Sequence, residues 1–180
     1  PDADASSDPA APPPDHEGHV NLLLVTVDSL RLDHAPRLGT DLPAPACSAQ
    51  LAGFAAFAGC FSVSSATRPV HASLLSGLYP FEHGVRGQRT AAMRPGVAEL
   101  LTFLVTQGWH VCACSEAPAV FTGLPFAALL EPLAAAPEPG LEHLRARVRA
   151  LPDGRAALFV HYWSAHTPYG AADGQAGGAV

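Results

Sequence analysis

Three short polar segments could carry chemistry, because each one follows or lies beside an apolar stretch of the chain. Asp28 follows the run NLLLVTV, Thr67 opens the segment TRPVHASLLSG, and His166 lies in the segment FVHYWSAHTPY. In open α/β sheets, ligands bind outside the carboxyl ends of the strands, where such residues can meet. A carboxylate can bind a cation, a hydroxyl can attack an ester and an imidazole can transfer a proton. The three segments therefore predict a site at one edge of a sheet.

The elements that would position these residues are predicted from the periodicity of the apolar residues. The predicted strands are residues 20–27, 60–63, 109–114 and 156–163, and the predicted helices are residues 47–57, 70–78, 96–107 and 141–151. Residues 20–27 form a continuous apolar run, so we expect that strand to be buried on both faces. On the last helix, Leu141, Leu144, Val148 and Leu151 are expected to point inward. Strands that alternate with helices predict an α/β fold with a mostly parallel sheet.

The four cysteines do not decide whether the protein belongs to an oxidising or a reducing compartment. None of them has the spacing typical of a zinc site, and the pattern predicts small buried apolar side chains. Cys112 and Cys114 form a C-x-C sequence on a predicted strand, where we expect them to point to opposite faces. A disulfide between Cys47 and Cys60 is an open alternative.

Charge and hydropathy exclude some classes of partner. The net charge is −6, all ten basic residues are Arg, and there is no basic run, which argues against a nucleic-acid partner. No apolar run reaches the roughly 18 residues that a transmembrane helix needs. Residues 1–19 are rich in Pro, Ala, Asp and Ser and are predicted to be a disordered linker. Such a leader would suit an extracytoplasmic or membrane-tethered location.

The same three segments resemble the sulfatase family of the alkaline phosphatase superfamily. The sequence NLLLVTVDSLRLDH resembles the first strand and metal-binding turn of that family, and TRPVHASLLSG with its continuation LYPFEHGVR resembles the sulfatase signature. The sequence FVHYWSAHTPY resembles the family's substrate-side segment. The resemblance covers residues 21–169.

This resemblance implies a role for each matching residue. Asp28 would bind a divalent cation (Ca²⁺, Mg²⁺ or Mn²⁺), Thr67 would be the nucleophile, and His166 would contact the ester and assist the leaving group. Arg68 and His71 are predicted to bind substrate. In classical sulfatases a Cys in C-x-P-x-R becomes formylglycine. Here Thr67 occupies the Cys position and His71 the Arg position, so no formylglycine is predicted.

The resemblance also implies a fold and a function. The expected fold is an alkaline-phosphatase-like three-layer sandwich, present as its N-terminal half only: residues 20–169 as part of the catalytic domain and residues 170–180 as a flexible tail. The expected function is hydrolysis or transfer of sulfate or phosphate esters through a metal-assisted Thr nucleophile. Since the family's later metal ligands and its Lys have no counterpart here, we expect this chain alone to be inactive, with a C-terminal half as missing partner. The alternative is a non-catalytic remnant that keeps the fold and at most binds anions.

Overall fold

The computed structural model describes residues 21–30, 54, 55, 57, 59–90 and 92–166. Within these residues there are four strands, four α-helices and two 3-10 helices. In chain order they are β1 (Leu22–Val27), α1 (Thr67–Ser76), α2 (Pro80–His83), α3 (Leu100–Thr106), β2 (His110–Ser115), the 3-10 helices Pro118–Phe121 and Pro125–Leu129, β3 (Leu130–Pro132), α4 (Pro137–Arg149) and β4 (Ala156–Tyr162). The predicted linker, the tail and most of the predicted helix 47–57 lie outside the described residues.

The strands form one sheet in the order β1-β4-β2-β3, and each neighbouring pair is parallel. This confirms the predicted α/β class and the parallel sheet. The register pairs Val27 with Tyr162 and Ser115 with His161, so β1, β4 and β2 end side by side. The residues that follow these three strands therefore emerge at one edge of the sheet.

Helices pack on both faces of the sheet. On one face, the buried sheet residues Ala113 and Phe159 pack with Ala72 and Leu75 of α1 and Leu101 of α3. On the other face, Leu144 of α4 packs against Cys112, Cys114 and Val160. Burial of these apolar side chains on both faces gives a layered α/β arrangement. In the part of the chain that is described, no helix is both long and apolar enough to cross a bilayer.

The expectation that the first strand is buried on both faces was wrong. Among the described strands β1 lies at the edge of the sheet, and its alternate residues Leu23, Val25 and Val27 are 65%, 47% and 40% exposed. Their side chains share the sheet face on which α4 packs, but Leu144 of α4 packs over β2 and β4 instead. Periodicity predicted the strand correctly but could not place it at the edge.

Two predicted element assignments also differ from the structure. Residues 60–63 do not form a strand, and the helix predicted to begin at Val70 begins at Thr67. It ends at Ser76, where Gly77 adopts the left-handed conformation with φ of 71° that commonly stops a helix. On α4, Leu141 and Val148 are exposed although both were predicted to point inward.

The prediction that Cys112 and Cys114 point to opposite faces was wrong. Residues i and i+2 of a strand project from the same face, and the two Sγ atoms lie 3.9 Å apart. Both side chains are buried under α4, which agrees with their predicted character as buried residues. Cys60 is a free, exposed thiol, so the prediction of a buried side chain was wrong for this residue. Cys47, its partner in the alternative disulfide, lies outside the described residues.

Candidate functional site

The structure brings Asp28 and Thr67 together at the carboxyl edge of the sheet. Asp28 directly follows β1, and its N–H donates to the carbonyl of Tyr162 at 2.9 Å, which fixes the turn against the end of β4. Thr67 is the first residue of α1, and its hydroxyl donates to Asp28 Oδ2 at 2.7 Å. The other carboxylate oxygen accepts from the Ser29 hydroxyl at 2.8 Å. Ser29 has a φ of 56°, which is uncommon for a residue other than Gly and marks a tight turn.

A cleft of about 450 Å³ opens beside these residues. Hydroxyl groups are frequent in its lining, which includes Ser29, Ser62, Ser64, Ser65 and Thr67. Hydroxyls and a carboxylate make this a polar cleft that can accept and donate hydrogen bonds to a polar ligand.

His71 lies one turn after Thr67 on α1 and connects that helix to β1. Its Nδ1 lies 2.9 Å from the Thr67 carbonyl, and its Nε2 lies 3.1 Å from the Thr26 hydroxyl. A carbonyl can only accept, so Nδ1 carries the proton and Nε2 of a neutral ring can accept from the Thr26 hydroxyl, whose other acceptor is the more distant Val160 carbonyl at 3.5 Å. Burial lowers the pKa of His71, against the opposing effects of the Thr67 carbonyl and Asp28. His71 therefore holds the backbone of Thr67 in place as a neutral ring. Its predicted contact with substrate stays a prediction.

His161, near the end of β4, is fully buried between Ser115 and Asp28. Its Nδ1 lies 2.9 Å from Ser115 Oγ, and its Nε2 lies 3.8 Å from Asp28 Oδ2. The Ala117 N–H donates to the same Ser115 oxygen at 3.0 Å, so the Ser115 proton is available for His161 Nδ1. Burial, together with nearby His71, lowers the pKa of His161 to about 4, although Asp28 opposes the shift. A neutral ring with its remaining proton on Nε2 thus faces the Asp28 carboxylate.

Arg68 neighbours Thr67, but its guanidinium group is directed into the protein. Nη1 donates to the carbonyls of Val120 and Thr122 at 2.7 and 2.8 Å, and Nη2 donates to the carbonyl of Thr90 at 2.6 Å. The residue is 5% exposed. Arg68 therefore ties α1 to two loops, and the substrate contact predicted for it stays a prediction.

His166 is placed at the same edge of the sheet by a turn after β4. Its N–H donates to the Trp163 carbonyl at 2.8 Å, and its ring stacks on the Trp163 ring at a centroid distance of 4.0 Å. Trp163 in turn lies 6.0 Å from the ring of His161. An aromatic ring thus connects His166 to the buried His161 beside Asp28.

Glu116 fixes this turn and was not singled out from the sequence. It directly follows β2, and its Oε2 accepts from the N–H groups of Trp163 and Ser164 at 2.6 and 2.7 Å and from the Ser164 hydroxyl at 2.7 Å. The signal that could have found both Glu116 and Ser115 is the rule that first identified Asp28. Each is a polar residue at the carboxyl end of a parallel strand.

The donor atoms around Asp28 do not by themselves make a site for a hard divalent cation. Ca²⁺ and Mg²⁺ take about six or more oxygen ligands. Beside the one carboxylate there are two hydroxyls, from Ser29 and Thr67, and the imidazole of His161. Among the described residues, one group of His, Cys, Asp or Glu side chains has its ligand atoms close enough together to share a metal ion. That group lies on the other face of the sheet and does not include Asp28.

Comparison of the chain with protein-family models, with curated proteins and with solved structures found no match. The ground for a functional inference is therefore the arrangement of Asp28, Thr67, His161 and His166, together with the resemblance of the three segments that carry them.

Proposed function

We propose that Thr67 is the nucleophile of a sulfatase-like hydrolase or transferase that acts on sulfate or phosphate esters. The chain would supply the nucleophile-bearing part of an alkaline-phosphatase-like three-layer sandwich. The observation that carries this proposal is the 2.7 Å hydrogen bond from the Thr67 hydroxyl to Asp28 Oδ2 at the carboxyl edge of a parallel sheet. A hydroxyl whose proton already points to a carboxylate has a defined route for losing it.

In the proposed first step, Thr67 Oγ1 attacks the phosphorus or sulfur atom of the ester and its proton passes to Asp28. The bond to the leaving oxygen breaks, that oxygen keeps the electron pair, and protonated His166 supplies its proton. Water then attacks the covalent Thr67 ester and gives a proton to His166, while the departing Thr67 oxygen takes back the proton held by Asp28. In a transfer reaction an acceptor alcohol replaces the water.

The buried histidines have supporting roles in this proposal. His71 binds the Thr67 carbonyl, which holds the nucleophile at the first position of α1. The neutral ring of His161 places Nε2 3.8 Å from Asp28 Oδ2, too far for a direct hydrogen bond. Because that ring is neutral, protonation of Asp28 during the reaction would not leave a buried cation without its counter-charge.

A divalent cation would act as a Lewis acid that stabilises the attacking alkoxide and the charged ester. Asp28 is the residue of this chain proposed to bind it. We propose that the other ligands come from outside the described residues and that these 180 residues alone do not turn over substrate.

The test compares this chain with the protein encoded when the natural reading frame is continued past Val180, using aryl phosphate and aryl sulfate with added Ca²⁺, Mg²⁺ or Mn²⁺. We expect turnover by the longer protein only. Thr67→Ala should reduce it to background, whereas Thr106→Ala, which removes an exposed hydroxyl on α3, should leave it unchanged. Full activity in Thr67→Ala would refute the nucleophile assignment.

A non-catalytic domain that keeps the fold is the second candidate. It is favoured by the small number of charged ligands, because the Asp28 carboxylate contacts two hydroxyls and an imidazole but no second carboxylate among the described residues. The start of α1 also offers few donors to an anion, because Pro69 has no N–H and the Arg68 N–H donates to the Gln88 side chain. A stop codon directly after Val180, with no phosphate or sulfate binding by calorimetry, would favour this candidate.

A further inference from the structure

A second group of chemically reactive side chains lies on the sheet face opposite α1, under α4. Cys114 of β2, Glu131 of β3 and His143 of α4 place a sulfur, an oxygen and a nitrogen atom within 4.8 Å of one another. Cys112 adds a second sulfur, 3.9 Å from that of Cys114. The four residues come from three different elements, and none of them takes part in the function proposed above.

The spacing of these atoms is close to that of a zinc site. Zinc bonds of about 2.0 to 2.3 Å put the ligands of a tetrahedron roughly 3.3 to 3.8 Å apart. The two sulfur atoms lie 3.9 Å apart, and His143 Nε2 lies 3.6 Å from Glu131 Oε2. The ligand atoms of Cys114, Glu131 and His143 lie within 4.8 Å of one another, and Cys112 would join them through its contact with Cys114 after a side-chain rearrangement.

The histidine nitrogen and the carboxylate are also prepared for a ligand. His143 Nε2 is buried and, in the described part of the chain, has no hydrogen-bond partner. Leaving such a nitrogen unpaired costs free energy, which a bound ion would recover. Glu131 uses its two oxygens differently, because Oε1 accepts from Arg147 Nη2 at 2.6 Å while Oε2 faces His143. Arg147 thus orients the carboxylate in the way that outer residues orient metal ligands.

The charges also balance. Two thiolates and one carboxylate carry three negative charges, which a divalent ion and the adjacent Arg147 would neutralise. A partly buried site is favourable only when its charges are compensated in this way. Mixed sulfur, nitrogen and oxygen ligands in a tetrahedral arrangement select Zn²⁺ over the hard cations expected at Asp28.

We propose that Cys112, Cys114, Glu131 and His143 bind one Zn²⁺ that joins β2, β3 and α4. With all four positions of the tetrahedron filled by protein, the ion has no open position for substrate, so its role is structural. It would fix α4 to the sheet beside the strands that end at Ser115 and Tyr162.

The test is a titration of the reduced 180-residue chain with Co²⁺, which reports thiolate ligands through a sulfur-to-cobalt charge-transfer band. We expect one Co²⁺ per chain with the visible bands of tetrahedral coordination, displaced by Zn²⁺. Zn²⁺ should also raise the thermal unfolding midpoint, because an ion that binds the folded state stabilises it.

Variants assign the ligands. Cys114→Ser should weaken binding and lower the charge-transfer band per bound Co²⁺, because Cys112 is then the one remaining thiolate ligand. His143→Gln, at a partly exposed helix position, should weaken binding by more than about tenfold without unfolding the chain. The control is Cys47→Ser combined with Cys60→Ser, which removes the other two thiols and should bind Co²⁺ like the parent chain. Absence of the band in the parent chain, or binding unchanged in His143→Gln, would overturn the proposal. Either result leaves the assignment of Thr67 unaffected.

Discussion

Thr67 and Asp28 are 39 positions apart in the sequence, yet the Thr67 hydroxyl donates a hydrogen bond to Asp28 Oδ2 at 2.7 Å. This bond joins the first residue of α1 to the residue that follows β1. The same carboxylate oxygen lies 3.8 Å from Nε2 of the buried His161. The helix that carries the proposed nucleophile is therefore coupled to the sheet edge through one carboxylate.

A double-mutant cycle should detect this coupling in the stability of the chain. Thr67→Val and Asp28→Ala remove the two partners, and we expect a coupling free energy of about 1–3 kcal/mol, because the acceptor is charged. Urea unfolding of both single variants and the double variant measures it. Thr67→Ser, which keeps the hydroxyl, is the control and should lose much less stability. Strictly additive effects would show that the bond contributes nothing to folding.

Stability should fall as the solution becomes acidic, because His161 is buried as a neutral ring. Its pKa is lowered to about 4, while an unfolded histidine titrates at about 6.5. Between these values the unfolded chain binds the proton and the folded chain does not, so the stabilisation is complete above pH 6.5 and is lost as the pH falls towards 4. The loss from this residue is about 3 kcal/mol. The pKa of His71 is lowered too and adds in the same direction.

Urea unfolding between pH 7.5 and pH 4 measures this dependence. His161→Gln cannot be protonated, so the free energy of unfolding should change less with pH than in the parent chain. His110→Gln, at the exposed start of β2, should keep the parent dependence. Equal slopes for His161→Gln and the parent chain would contradict the assignment.

Replacing Arg68 by Lys should destabilise the fold, although the charge is kept. The planar guanidinium donates to three backbone carbonyls at once, and an ammonium cannot reproduce that geometry. We expect a loss of about 2–3 kcal/mol in chemical unfolding. The exposed Arg86→Lys should change stability by less than about 0.5 kcal/mol. An equally small change at Arg68 would show that its buried hydrogen bonds are dispensable.

Glu116→Ala should release the turn that carries His166. The carboxylate accepts three hydrogen bonds from Trp163 and Ser164, so its removal leaves those donors to water. In a Trp109→Phe background Trp163 is the remaining tryptophan, and we expect a red-shifted emission that is quenched more easily by acrylamide. The loss of stability should be about 1–3 kcal/mol. Glu142→Ala, on the exposed side of α4, should leave the emission unchanged.

Strand periodicity predicted three of the four strands, because Leu22–Val27, His110–Ser115 and Ala156–Tyr162 are the apolar runs of the sequence. It missed Leu130–Pro132, which is too short to show a period. It also predicted a strand at residues 60–63, which does not form. An apolar run favours a strand, but the run alone does not supply the neighbouring strand with which it must pair. The start of α1 was placed three residues late, since Thr67, Arg68 and Pro69 read as a polar turn.

The polar residues at strand ends could be predicted for a physical reason. Parallel strands all end at one edge, so Asp28 and the segment of His166 were expected at the same edge of the sheet. What each side chain contacts could not be predicted. Arg68 is directed to backbone carbonyls, and Glu116 and His161 reach the site from strands that are far away in sequence.

The sequence by itself determined the α/β class, the parallel sheet and the edge where Asp28 lies, because these follow from local periodicity and chain direction. Only the tertiary structure decided the strand order β1-β4-β2-β3, which leaves Leu23, Val25 and Val27 exposed at the edge. It also decided the grouping of Cys112 and Cys114 with Glu131 and His143, which no spacing along the chain encodes. Both depend on which elements pack together, and packing is a property of surfaces that only the folded chain brings into contact.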